Sequence, residues 1–257
     1  MGYRIDLNCD VGESYGAYVI GRDEEVIPHV TSANVACGFH GGDPIVMRRT
    51  VRLARSRGVA VGAHPGYPDL MGFGRRNMNL TGEETQNYLT YQVGALRAFC
   101  NSERIELQHV KPHGALYNMA AEDPDLAQAI VESVKDFHPE PILLVLAKSK
   151  MQRLCEEAGI KVAREAFADR AYNPDGTLVS RKVAGAVITN PEQVRERVVK
   201  MVKESVAFSV DGKKVDLGRV DSICVHGDNP EAVGIASAIR STLLREGIKV
   251  SPLSEFL

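Results

Sequence analysis

YRIDLNCDVGESYG, residues 3–16, is the stretch on which the fold turns. It alternates: Ile5, Leu7 and Cys9 fall on one side of an extended chain, Asp6, Asn8 and Asp10 on the other. An open dinucleotide-binding sheet places GxGxxG in the turn after its first strand, and DVGESYG carries no such fingerprint. Six more apolar runs follow: SANVACGFH (32–40), VAVGAHPG (59–66), ELQHVKPHG (106–114), ILLVLA (142–147), KVAREAFAD (161–169) and SICVHGDN (222–229). GAVIT (185–189) reads as a weaker eighth strand or an edge extension. Helical patterns separate the runs, and repeated strand, helix, strand units imply a parallel sheet with right-handed crossovers. Seven or eight such units in about 250 residues match a closed (β/α) barrel. The barrel is the preferred reading, with an open doubly wound sheet as its alternative.

The helices carry their own punctuation. Asp43-Pro44 supplies an N-cap and a first-turn proline for a helix through about Arg57, with Gly58 as its stop. Thr81 to Glu84 forms a capping box that opens a helix to about Cys100. Further helices are expected from Pro124 to Phe137, Lys148 to Ala158, Pro191 to Ser205 and Pro230 to Glu246. Two Asp-Gly turns, in NPDGTL (173–178) and SVDGKKV (209–215), read as hairpin excursions. With no repeat, low-complexity segment or long linker, residues 1–257 read as a single domain.

The net charge of −2, from 31 basic and 33 acidic residues, gives no electrostatic reason to expect nucleic acid or an anionic membrane as partner. No apolar run reaches about 18 residues, and MGYRIDLNCD lacks the regions of a signal peptide, so the expected location is the cytoplasm. Cys9, Cys37, Cys100, Cys155 and Cys224 are odd in number, scattered and free of any CxxC pair. That argues against a disulfide framework or a thiolate zinc site, and the thiols are expected to be reduced and mostly buried.

Alternation also sorts the later runs. His109, Lys111 and His113 oppose Gln108, Val110 and Pro112; Glu165 and Asp169 oppose Arg164 and Ala166; His226 and Asp228 oppose Ile223 and Val225. Asn34 and His40 share a face if no bulge intervenes, and His64 ends its run. Both faces of a barrel sheet are covered, so charged groups repeated on one face must meet in the lumen. They lie late in their strands, at the carboxyl end where barrel enzymes build their sites. Asp6 and His109, early or deep in their strands, are read as structural. The set Asp10, His64, Lys111, His113, Glu165 and Asp228 is read as functional.

The loop GAHPGYPDLMGFGRR (62–76) spends four glycines and two prolines on one connection. Arg75 and Arg76, with backbone donors from Gly72 and Gly74, are candidates to grip a carboxylate or phosphate oxygen. In GFHGGDP the Asp43 side chain caps the helix that follows, so Gly41 and Gly42 are read as backbone geometry and His40 as a site candidate.

The runs DLNCDVGESYG (6–16), ANVACGFHGGDP (33–44), GAHPGYPDLMGFGRR (62–76), VKPHGALYN (110–118), EAFADRAY (165–172) and CVHGDN (224–229) resemble those of the LamB/YcsF family of prokaryotic 5-oxoprolinase A subunits. The resemblance covers about residues 3–250, in order and at compatible spacing. It implies a (β/α)7-type barrel of the glycoside hydrolase/deacetylase superfamily. It implies opening of the lactam 5-oxo-L-proline to L-glutamate, coupled to hydrolysis of ATP to ADP and phosphate, in company with B and C subunits. ATP as co-substrate rests on the resemblance alone. GxxxxGK[ST] occurs nowhere in the chain, and the nucleotide is held here or on a partner.

For such chemistry Asp10, Glu165 and Asp228 are candidates for carboxylate work, His64 or His113 for proton movement, and Lys111 for stabilising negative charge. Asn8, Asn34, His40, Arg75, Arg76 and His226 are candidates for binding substrate or phosphate. Asp10, His64 and His113 resemble the Asp/His/His sets that hold a divalent ion in superfamily relatives. No HxxxH or HExxH spacing supports one, and Lys111 would repel a cation, so no metal is assigned. Two other functions compete: a stand-alone metal-dependent carbohydrate deacetylase or hydrolase, and a non-catalytic subunit that presents oxoproline to its partners.

Overall fold

A computed structural model describes residues 2–137, 139–229 and 231–257. Its elements begin with β1 (Arg4–Val11), α1 (Asp23–Val26), β2 (Ser32–Ala36), α2 (Pro44–Ser56), β3 (Ala60–His64) and α3 (Gly82–Ser102). β4 (Leu107–Val110), α4 (Gly114–Ala120), α5 (Pro124–Lys135), β5 (Ile142–Leu146), α6 (Lys150–Glu157) and β6 (Val162–Phe167) follow. The chain ends with α7 (Pro191–Glu204), β7 (Val206–Phe208), β8 (Lys214–Asp216), β9 (Ser222–His226), α8 (Ala232–Arg245) and β10 (Lys249–Val250). Strands β1 to β6 and β9 pair in parallel in that order, and β9 pairs back onto β1, closing a seven-stranded barrel. β10, which the sequence pattern did not suggest, adds two residues alongside Arg4 and Ile5.

Local chemistry explains most of the boundaries. Asp43 Oδ1 accepts from the amides of Ile45 and Val46 to start α2, and Thr81 and Glu84 complete their capping box on α3. α6 begins at Lys150 rather than Lys148, because Ser149 provides the cap while Lys148 takes a left-handed φ of 66°. The start expected at Pro230 lies outside the described residues; α8 itself runs from Ala232. SVDGKKV turns between the antiparallel strands β7 and β8, as expected. GAVIT is not a strand: Val187 makes one isolated bridge to Arg170, and residues 168–190 form an excursion over the carboxyl end of the barrel.

The alternation read from residues 3–10 holds in three dimensions. Ile5, Leu7 and Cys9 belong to the apolar cluster that runs along the chain from Ile5 to Ile248, while Asp6, Asn8 and Asp10 hydrogen-bond across the lumen. Register stacks the lumen into levels: Asp6 pairs with Ser222, Asn8 with Ser32 and Cys224, and Asp10 with Asn34 and His226. Gly62 of β3, in register with Asn34, makes room for the His109 ring, since a Cβ there would fall 2.0 Å from His109 Nε2. All five cysteines are free and buried, and no helix among the described residues is long and apolar enough to cross a membrane.

Candidate active site

The lumen floor is a closed hydrogen-bond network. Asp6 Oδ1 accepts from Thr31 Oγ1 (2.7 Å) and Ser32 Oγ (2.6 Å), and its Oδ2 accepts from Ser222. Burial pushes Asp6 up to about 6, against the pull of those hydroxyls. His109 donates from Nε2 to Asn34 Oδ1 (2.6 Å) and accepts at Nδ1 from Gln108 (3.1 Å). Burial, with Lys111 adding to it, lowers His109 to about 3, so the ring is neutral and both its nitrogens are satisfied.

Above the floor sits Lys111. Its Nζ donates to Asp10 Oδ1 (2.9 Å) and lies 2.9 Å from Glu165 Oε1 and 3.1 Å from Cys224 Sγ. Burial disfavours the ammonium, but Asp10, Cys224 and Glu165 more than reverse this and hold its pKa well above the usual lysine value. Asp10 feels the converse. Burial raises it, and His64 and Lys111 carry it well below the carboxylate range. Glu165 is held from its other side by Asn8 Nδ2 (2.9 Å) and by the Tyr117 hydroxyl (2.7 Å).

At the rim, four groups from four connections converge. Gly12, with φ of 75°, turns the chain at the end of β1, and Glu13 beyond it comes within 3.3 Å of His113 Nδ1 and 3.1 Å of His40 Nε2. Burial first, then Asp10 and Asp228, push Glu13 well above the usual carboxylate range. His113 Nδ1 stands 2.9 Å from His64 Nε2, and the His40 ring stacks flat on His113 with centroids 3.6 Å apart. Burial lowers His40 and His113 well below the usual imidazole value, and neighbouring imidazoles add to the effect.

A cavity of about 350 Å³ opens above this cluster, within the range of about 300–1,000 Å³ common to small-molecule sites. Asp10, Glu13, His64, Lys111, His113 and His226 line its base, and Arg75, Arg170, Arg181 and Asp228 line its wall. Arg75 donates to Asp228 Oδ2 (2.5 Å) and Arg181 lies 3.6 Å from the same oxygen. Burial raises Asp228, and the two guanidiniums outweigh it to hold the carboxyl below its ordinary value. Arg170, donating to the carbonyls of Val179 (2.6 Å) and Ala186 (3.3 Å), pins the 168–190 excursion over the cavity. His226 donates from Nδ1 to Asp169 Oδ1 (3.0 Å), and among the described residues nothing hydrogen-bonds its Nε2.

The structure therefore gathers Asp10, His64, Lys111, His113, His226, Asp228 and Arg75 around one cavity, and sets Asn8, Asn34, Glu165 and His40 directly behind that lining. Arg76 is not brought there: it pairs with Asp69 and its side chain is 67% exposed. Gly72 and Gly74 are not free donors either, because both amides bond Asp69 and so shape the loop. Glu13, Tyr117, Cys224, Asp169 and Arg181 complete the site; the sequence sorted Asp169 onto the face of Glu165 but made none of the five a site candidate. Cys224 and Asp169 had a signal, two residues before His226 and four after Glu165 on the same strand faces. Glu13 and Arg181 had none, since both lie beyond strand ends.

Of the set Asp10, His64 and His113 considered for a metal from the sequence, Asp10 has one oxygen bound by Lys111 and Asn34, while its Oδ2 faces His64 Nε2 at 3.5 Å. The two imidazoles of that set face each other. The donors fit a cation on one side only, the side turned toward Glu13.

Fold and site together define a closed seven-stranded parallel (β/α) barrel with ionisable groups gathered at the carboxyl ends of its strands. The model of the LamB/YcsF family matches residues 5–257, and the chain belongs to that family. It is 59% identical over 254 residues to the A subunit of a 5-oxoprolinase from Pyrococcus horikoshii, with 99% of each chain covered. It is 47% identical to a lactam utilization protein from Thermus thermophilus, whose crystal structure superposes with a TM-score of 0.90 over 96% of this chain and 99% of that one. The catalytic domain of a peptidoglycan N-acetylglucosamine deacetylase from Eubacterium rectale is alike in fold alone: 12% identity, TM-score 0.50, 98% of this chain and 89% of that one.

Proposed function

We propose that this chain is the A subunit of an ATP-dependent 5-oxoprolinase, which opens 5-oxo-L-proline to L-glutamate together with B and C subunits. The observation that carries the reading is a small cavity over Lys111, lined by paired arginines, in a chain whose relatives of 59% and 47% identity are named for that reaction or for lactam use.

A lactam carbon resists water because nitrogen donates into its carbonyl. Transfer of the γ-phosphoryl group of ATP to the lactam oxygen removes that resistance. Water then adds to the carbon, the ring nitrogen leaves with a proton, and the acyl phosphate so formed is hydrolysed by a second water to glutamate and phosphate. Lys111 stabilises negative charge on the lactam oxygen and on the adduct. His226, oriented by Asp169 through Nδ1, presents Nε2 to the cavity and takes the proton from water. Arg75 and Arg181 exchange Asp228 for the substrate carboxylate.

The test measures glutamate and phosphate released by this chain alone, by its B and C partners alone, and by the mixture with ATP. The reading expects both products, in equal amounts, from the mixture only. Absence of glutamate from the mixture, or ATP-independent deacetylation of an N-acetylated sugar by this chain alone, contradicts it.

A further inference from the structure

His64 donates from Nδ1 to the Lys111 carbonyl (2.7 Å), and His113 donates from Nε2 to the Phe73 carbonyl (2.9 Å). A carbonyl oxygen only accepts, so each ring's proton is fixed on the nitrogen facing its carbonyl. The remaining nitrogens, His64 Nε2 and His113 Nδ1, stand 2.9 Å apart, a contact relieved only by a proton on one of them or by a cation between them. Glu13 Oε1 lies 3.3 Å from His113 Nδ1, and Asp10 Oδ2 lies 3.5 Å from His64 Nε2. Glu13, His64 and His113 thus turn three ligand atoms, all within 4.8 Å of one another, toward one point, and the buried carboxylates Asp10 and Glu165 already share the single ammonium of Lys111. Something positive belongs at that point.

We propose that Glu13, His64 and His113 bind one divalent transition-metal ion of the zinc class, with Asp10 Oδ2 or the cavity at its fourth position. Metal–ligand distances of about 2.1 Å in a tetrahedral site place the donors about 3.4 Å from one another. The pairs at 2.9 and 3.3 Å need only small shifts to reach that spacing. The planes of His64 and His113 stand at 88°, so both lone pairs can point at a shared ion. His40 cannot join them. Its ring is parallel to His113 within 1° and 3.6 Å away, and two such planes do not contain the same point. Its Nε2 instead meets Glu13 Oε1 at 3.1 Å, which makes His40 the positioning residue for that ligand. Imidazole with carboxylate suits zinc, cobalt or manganese over magnesium or calcium. An ion there supplies Lewis acidity beside the cavity. The inference concerns binding by this chain alone and does not depend on the lactam reading.

The test is a titration of chelator-stripped, full-length protein with Co²⁺, read by visible absorption, and with Zn²⁺, read by elemental mass spectrometry after gel filtration. Expected are one equivalent per chain and the intense visible bands of four-coordinate cobalt. Glu13→Gln and His113→Asn remove stoichiometric binding with folding intact by circular dichroism, and His40→Gln weakens it about 10–100-fold without changing the stoichiometry. The wild-type titration stands even where a variant fails to fold. Substoichiometric binding by the wild type, or binding that folded Glu13→Gln and His113→Asn retain, overturns the proposal. So does nitrogen NMR showing a proton shared between His64 and His113 that excess Zn²⁺ leaves in place.

Discussion

In the lower half of the lumen Asp6 accepts from three hydroxyls and His109 has a partner on each nitrogen. Toward the cavity, Asp10 and Glu165 share one ammonium, two imidazoles confront each other, and His226 offers a nitrogen without a hydrogen-bond partner among the described residues to open space. Both regions are buried and polar, and both come from the same alternation along the same strands. They differ in satisfaction. The floor is a finished network, whose hydrogen bonds link β1, β2 and β9, while the rim turns ionisable groups toward an open cavity. A polar lumen is thus no evidence of chemistry by itself; unsatisfied geometry beside open space is.

The largest effect should appear where the comparison is sharpest. His226→Gln in the assembled complex is expected to lower turnover about 10²–10⁴-fold with the unfolding transition little changed, by coupled glutamate assay and calorimetry. Near-normal turnover would erase the distinction between rim and floor. Within the satisfied network, Gly62→Ala drives a methyl group into the His109 ring, since the added carbon would lie 2.0 Å from Nε2. Denaturant unfolding should show a loss of about 1–3 kcal/mol, while turnover per folded molecule persists.

A pH series sharpens the floor further. Asp6 titrates near 6 in the fold against an ordinary 3.8, so the folded chain holds this proton more tightly than the unfolded chain between those values. Its contribution is fully present below about pH 4 and is lost as pH rises through about 6, a decline on the order of 3 kcal/mol. Denaturant titrations at several pH values should show that slope in the wild type and not in Asp6→Asn. The smallest contrast lies within one loop. Arg75→Ala is expected to raise KM for oxoproline, whereas Arg76→Ala, whose partner Asp69 is outside the cavity, should leave KM and kcat unchanged in steady-state assays.

How far the sequence carried these conclusions follows from what alternation encodes. It reports which face a strand residue occupies, so Asp10, Lys111, Glu165 and His226 were legible as lumen groups. It does not report whether a neighbour satisfies them, which is why Asp6 and Asp10 look alike on paper. It also stops where a strand stops. Glu13 arrives at the rim because Gly12 adopts a positive φ, and Arg181 because Arg170 pins an irregular excursion, and neither placement has a period to read. In the long glycine-rich loop, composition flagged a segment that does bring Arg75 to the cavity wall. The hydrogen bonds that Asp69 draws from Gly72, Gly74 and Arg76 were invisible until the chain was folded.

Lys111 is proposed as the group that stabilises charge on the opening lactam. The direct measurement is glutamate and phosphate release by the assembled complex carrying Lys111→Met, assayed below the variant's unfolding midpoint, against the wild-type complex. A fall of at least about 10³-fold in both products, from a chain that still folds and still assembles, is the predicted result. Turnover within a few-fold of wild type would contradict it.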